Sequence, residues 1–186
     1  MRKKYLQGTE TTSNTIGFAL SMLSLYPEVQ EKVYQEIISI TDGHLDEEKL
    51  NQLKYLKMVI KETMRLFPAV TLNVRHAAED VQLGKIKKNF TLIFYSKYFN
   101  QHDCFYLFLG KYLIPKGTEV SLNIFELQRS PEVYENPDEF NPDNFLPENV
   151  AKRHSYAYMP FSTGFRKCIG KFQTMYTSSS YFICKL

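Results

Sequence analysis

Cysteine is scarce: Cys104, Cys168 and Cys184 are the only three, and no two form a CxxC pair. That spacing excludes a disulfide framework and gives no support to a zinc site. No stretch approaches the about 18–20 consecutive apolar residues of a membrane span. The opening MRKKYLQGTE carries no apolar run of the signal-peptide kind. Charge of one sign is also nearly lacking, since 23 Lys and Arg against 20 Asp and Glu leave a net +3, too little to point to nucleic acid. What is present is a 186-residue chain, 44% hydrophobic and 23% charged, which is a globular composition long enough for one core. The expectation is a soluble chain of a reducing compartment, or a piece of something larger.

Apolar residues Val29, Val33, Ile37 and Ile40 share one helical face, so Pro27–Ile40 reads as a helix with proline in its first turn. Thr9–Leu25 also reads as helical, although Thr11, Thr12, Ser13, Asn14, Thr15 and Gly17 are poor helix formers. So many small polar residues imply tight packing or a weakened hydrogen-bond ladder. Asp42-Gly43 marks a turn. Leu53, Leu56, Ile60, Thr63 and Phe67 then define a further helix that Pro68 ends. Alternating Val70, Leu72 and Val74, then Val81 and Leu83, read as strands, as does Thr118–Ile124 after the Lys116-Gly117 turn. Ser130–Glu148, rich in Pro, Asn and Asp, reads as an ordered loop. The order predicts an α+β chain, mainly helical.

One segment departs from the rest. Leu83-Gly84-Lys85 recurs as Leu109-Gly110-Lys111, and residues Ile86–Gly110 hold eight aromatics with no Glu, Arg or Pro. Eighteen of those 25 are Phe, Tyr, Ile, Leu, Lys or Asn, which AT-rich codons specify. Residues 86–111 therefore read as translated intron, with a hairpin insertion in a tolerant loop as the alternative.

The strongest chemical signal is the string from Phe161 to Gly170, with Gly164, Arg166 and Cys168 inside it. A cysteine between glycines in a basic loop is a plausible anionic metal ligand. Gly164 and Gly170 permit close approach of a flat partner, and Arg166 offers a fork for a carboxylate. A lone cysteine is more often an inert core residue, but here the whole string fits F-x-x-G-x-R-x-C-x-G. The sequence thus resembles the haem-thiolate loop of the cytochrome P-450 family. Glu62-Thr-Met-Arg65 resembles that family's E-x-x-R, whose i, i+3 pair shares a helix face. An exposed pair of this kind contributes only about 0.3–0.5 kcal/mol. The resemblance implies instead a buried, structural pair that locks the following meander, here Phe140–Phe145. The family often has Arg where this chain has Asn144, which leaves the third member of that network open.

Gly8-Thr9-Glu10-Thr11-Thr12 resembles the oxygen-activating segment of the family's long central helix. The resemblance implies Thr11 as the proton-delivering hydroxyl and Glu10 as the acid feeding it. On this motif alone, Thr11 could equally be an ordinary capping or core residue. Gln7 stands where related family-4 enzymes often esterify haem through Glu; an amide cannot, so any haem would be non-covalent and fully extractable by acid–organic solvent. Arg75 resembles the strand arginine that pairs with a haem propionate, though a strand-edge cation facing water reads the same way. His76 reads as polar surface, and Cys104 and Cys184 lack partner spacing for a metal.

The resemblance, which in wording is to animal and insect family-4 enzymes, implies the C-terminal half of the cytochrome P-450 fold. It implies haem as cofactor with Cys168 as axial thiolate, and insertion of one atom of O2 into a fatty acid, hydrocarbon or lipophilic xenobiotic. The implied electron source is NADPH-cytochrome P-450 reductase, with cytochrome b5 as an optional second donor. Lys167 and Lys171 flank Cys168 and fit that docking, as they would fit any solvated loop. An intact parent would sit at the endoplasmic reticulum membrane by an anchor outside these residues. The domain expectation is one partial domain over 1–186, with 86–111 a non-family insert and 173–186 a divergent tail. That tail, TMYTSSSYFICKL, does not resemble the helix that should run behind the haem. The alternative to a monooxygenase is a catalytically inactive fragment or mis-spliced product that holds haem weakly.

Overall fold

The computed structural model describes residues 2–41, 46–82, 92–95, 105–107 and 113–185; side chains of 2–7, 92–95, 105–107 and 185 are outside the description. Four helices come first: α1 (Arg2–Leu25), α2 (Pro27–Ile40), α3 (Glu47–Gln52) and α4 (Lys54–Leu66). Short strands follow as β1 (Leu72–His76), β2 (Val81–Gln82), β3 (Leu92–Tyr95), β4 (Phe105–Leu107), β5 (Leu113–Ile114) and β6 (Glu119–Asn123). Helices α5 (Ile124–Leu127), α6 (Pro147–Ala151) and α7 (Lys171–Lys185) complete the order.

Helix α2 forms on the spacing expected of it, with Pro27 at its start and Val29, Val33 and Ile37 buried. Helix α3 is capped by the Asp46 carboxylate, which accepts from the Lys49 amide at 2.8 Å. Helix α4 has eight buried residues, Leu56, Val59, Ile60 and Glu62 through to Leu66, and lies at the centre of the core. Glu36 of α2 reaches across to its start, accepting from the Tyr55 and Leu56 amides at 2.7 and 2.9 Å. These two bonds satisfy donors that no turn of α4 can satisfy.

The four-stranded sheet has the order β1-β6-β3-β4, all neighbours antiparallel. Val74 of β1 faces Ser121 of β6, and Leu122 of β6 faces Leu92 of β3. The two described pieces of the 86–111 segment, β3 and β4, thus extend this sheet as a hairpin. The recurring Leu-Gly-Lys triplets at its ends and Cys104 lie outside the described residues, as does the Asp42-Gly43 turn. Val70 is not in a strand, since β1 begins at Leu72, and Leu83 lies outside the described residues.

Two helices exceed expectation. Helix α1 starts at Arg2 instead of Thr9. The tail expected not to provide a helix behind the cysteine loop forms α7, fifteen residues from Lys171. Its Ser and Thr content argues against a helix locally, but Phe182 is fully buried in the core and Met175 and Ile183 pack against it. Tertiary burial outweighs propensity here. The meander carries a 3-10 turn at Pro142–Phe145, and α6 begins at Pro147.

Candidate functional site

Glu62 and Arg65 lie on the core face of α4 and neither side chain is exposed. Arg65 Nε and Nη2 donate to the two Glu62 oxygens at 2.7 and 2.8 Å. Nη1 donates to the Gln128 and Pro137 carbonyls, and Nη2 also to the Glu139 carbonyl. All five guanidinium donors are thereby used. Glu62 Oε1 also accepts from the Asn141 amide at 2.9 Å and from Asn144 Nδ2 at 3.0 Å. A neutral amide thus serves as third member of this network. Arg153 lies over the Tyr134 ring as Arg65 does, 4.8 and 4.6 Å from its centroid, and donates to the Asn144 carbonyl. Both charges of the pair are desolvated, but every strong donor has an acceptor.

Gln128 is a hub that sequence reasoning missed. Fully buried, it donates to the Met64 and Arg65 carbonyls and accepts from the Met159 amide at 3.0 Å. Met159 opens the cysteine loop, so Gln128 joins the end of α4 to it. A lone Gln at the end of a short helix carries no sequence signal for such a role.

The loop then turns sharply. The Ser162 amide donates to the Met159 carbonyl, and Ser162 itself has φ 56°, the left-handed region. Gly164 follows with φ 70°, which glycine adopts without a steric penalty. The Cys168 amide donates back to the Phe161 carbonyl at 2.9 Å and closes the loop. Arg75 of β1 reaches it from the sheet: its Nη2 donates to Ser162 Oγ at 3.1 Å, and its Nη1 to Asn73 Oδ1 and the Val74 carbonyl.

A cavity of about 230 Å³ lies between this loop, α1 and β1. Thr11 and Thr15 of α1 line it, with Asn73, Phe161, Arg166 and Cys168. Its exposed surface is mainly apolar, with Val70, Ile124 and Met159 in the wall. Thr12 of α1 and Thr174 of α7 approach to 3.3 Å between hydroxyl oxygens, tying the two helices together. The arrangement therefore joins Thr11, Phe161, Arg166 and Cys168. Glu10 is exposed and does not line the cavity. Gly170 stands next to the sulfur, where a Cβ would sit 3.7 Å from Cys168 Sγ. Cys168 and Cys184 are both free and exposed. His76 pairs loosely with Glu119 at 3.4 Å on the surface. The Gln7 side chain lies outside the described residues.

A soft sulfur donor in a mainly apolar cavity, with a hydroxyl-bearing helix on one side and the β1 strand on another, is a donor set suited to a haem iron. The cytochrome P450 family model matches residues 4–106 and 104–175, and the chain belongs to that family. The two matched stretches meet inside segment 86–111. Cytochrome P450 4V2 of Homo sapiens is 38% identical over 173 residues, 91% of this chain and 28% of that protein. Cytochrome P450 4p1 of Drosophila melanogaster is 36% identical over 168 residues, 89% of this chain and 28% of that protein. The crystal structure of the cytochrome P450DA heme domain superposes with a TM-score of 0.76 at 26% identity, covering 94% of this chain and 34% of that one. The chain thus spans a little over a quarter of the length of these curated relatives. The α+β, mainly helical architecture is that of part of the cytochrome P450 fold. Among the described residues, no helix is long and apolar enough to cross a membrane.

The side chains present fit the family's haem. Cys168 supplies an unbridged sulfur and the walls suit a hydrocarbon macrocycle, while Arg75 does not line the cavity and reaches it only through Ser162 of its wall, with a guanidinium of the kind that suits a carboxylate.

Proposed function

We propose that this chain forms the cysteine-loop portion of a haem-thiolate monooxygenase acting on a fatty acid, hydrocarbon or lipophilic xenobiotic. The observation that carries this reading is that Thr11, from α1, and Cys168, from the loop, line one mainly apolar cavity. A haem bound there would supply O2 activation, placing one oxygen atom in a substrate C–H bond and reducing the other to water with two electrons and two protons.

The residues have separable roles in this reading. Cys168 would hold the iron through its sulfur, with its loop closed by the Phe161 carbonyl. Arg75 would pair with a propionate, for which it must exchange part of its present bonding to Asn73 and Ser162. Thr11 holds a proton at its hydroxyl inside the cavity, and Glu10 exchanges protons with solvent at the exposed edge of the same turn. Phe161, Gly164 and Gly170 shape the loop, Arg166 borders the cavity, and Glu62 with Arg65 fixes the scaffold. Lys167 and Lys171 are exposed beside Cys168, suited to an acidic electron donor such as NADPH-cytochrome P-450 reductase or cytochrome b5. Endoplasmic reticulum membrane is the matching location for the whole protein.

Haem reconstitution tests the reading. The expected result is a red-shifted ferrous carbonyl band that disappears in Cys168→His; a soluble, folded chain that takes up haem without that band would overturn it. The Phe165, Ile169 and Phe172 side chains around the loop are 109%, 99% and 85% exposed. That exposure favours a second reading for these 186 residues taken alone, weak haem binding without turnover. Substrate oxidation by the isolated chain with reductase would exclude it.

A further inference from the structure

A second cavity, of about 270 Å³, opens beside the cysteine loop. It shares Met159, Phe161 and Cys168 with the first but not Thr11, and three lysines line it: Lys61 from α4, Lys167 from the loop and Lys171 from α7. No Asp or Glu is among its lining residues. Among the described residues none of the three lysines has a carboxylate ion-pair partner. The Lys61 amine is held below its ordinary value by burial first, then by the positive charges of Lys171 and Lys57. Three cations border one open volume whose wall carries no carboxylate, and the Lys61 ammonium also lies 5.9 Å from the centroid of the Phe145 ring; an oxyanion in that volume would offset their mutual repulsion.

Other groups add donors to the same space. Ser162 and Thr163 are also in the wall. Ser162 Oγ accepts from Arg75, so its own proton is available to another acceptor. Tyr158 donates to the Lys61 carbonyl at 3.0 Å and fixes that side of the cavity. Lys171 is the first residue of the fifteen-residue α7, whose amino end carries partial positive charge.

We propose that this cavity binds a phosphate-class oxyanion, with Lys61, Lys167 and Lys171 as its cations and Ser162 and Thr163 as hydroxyl donors. The site needs Lys61, which is half-buried, and is in that respect distinct from a flat docking surface. Inorganic phosphate and the headgroup of phosphatidate share this chemistry, and the test separates them.

The full chain is titrated with inorganic phosphate against chloride at equal ionic strength, following phosphorus-31 line width and thermal unfolding. Saturable broadening and a saturable rise in melting temperature are expected for the wild type and for Lys152→Met, an exposed lysine elsewhere. Lys171→Gln, at an exposed position, should weaken phosphate binding roughly tenfold, and Lys61→Met at least as much. Lys61→Arg should retain binding, which guards against reading a folding defect in Lys61→Met as loss of the site. Equal effects of chloride, or unchanged binding in Lys171→Gln, would overturn the proposal. In a second arm, vesicles containing phosphatidate are sedimented with the chain. Capture that depends on Lys171 and that phosphate does not displace assigns the site to a headgroup, and displacement by phosphate assigns it to the free anion. Absence of both phosphate binding and Lys171-dependent capture would also overturn it.

Discussion

The Glu62–Arg65 network and the Cys168 loop lie at opposite limits of enclosure. Arg65 is fully buried with all five donors engaged, while Cys168 is exposed and its own amide is tied back by a hydrogen bond to the Phe161 carbonyl. The first region is complete within the chain's own residues. In the second, Phe165, Ile169 and Phe172 present apolar surface of a kind that folded proteins ordinarily cover. The scaffold bonds of Arg65 therefore need no group beyond this chain's own residues.

That contrast can be broken first at Arg65. Arg65→Met should cost about 3–5 kcal/mol in denaturant unfolding, because Glu62 would remain as a buried, unpaired charge. A loss below about 1 kcal/mol would mean that water reaches Glu62. Asn144→Ala should cost about 2 kcal/mol by the same measurement, since it removes a hydrogen bond to a buried carboxylate. Burial holds the Tyr158 phenol well above its ordinary value of 10.0. The folded state thus retains that proton longer than the unfolded state, and the resulting stability is present below pH 10.0 and lost as pH rises beyond it. Tyr158→Phe should flatten that alkaline decline, seen in melts across a pH series. Ser178 and Ser179 are buried in α7 with hydroxyls that have no partner among the described residues. Ser178→Ala should raise stability by about 1 kcal/mol. Smallest of all should be Cys168→Ser, within about 0.5 kcal/mol of the wild type, although the thiolate spectrum of a reconstituted protein would be lost.

Legibility in the sequence followed the range of the interactions. Helices α2 and α4 and the Glu62–Arg65 spacing were readable because their determinants recur every three or four residues. The string around Cys168 was readable as a contiguous motif. Gln128 was not, because its partners Met64, Arg65 and Met159 are 31 to 64 residues away. The burial of α7 was equally hidden, since α7 packs on α1, α3 and α4, with Phe182 in the core, and nothing local favours the helix. Asn144 shows the intermediate case. Its departure from the family's usual Arg was visible, but that its amide reaches the same carboxylate needed the fold.

Along α1 the hydroxyls of Thr12, Ser13, Thr15 and Ser21 each bond to the carbonyl four residues earlier, those of Gly8, Thr9, Thr11 and Gly17. Each such oxygen is divided between a side chain and a backbone donor, which slackens the helix locally. The amide hydrogens of that stretch should therefore trade for deuterium sooner than those of α4, by openings too small to unfold the chain. The wall that faces Cys168 would then be the part of the core that breathes most readily, and a ligand or a water molecule could enter there without the rest of the core giving way.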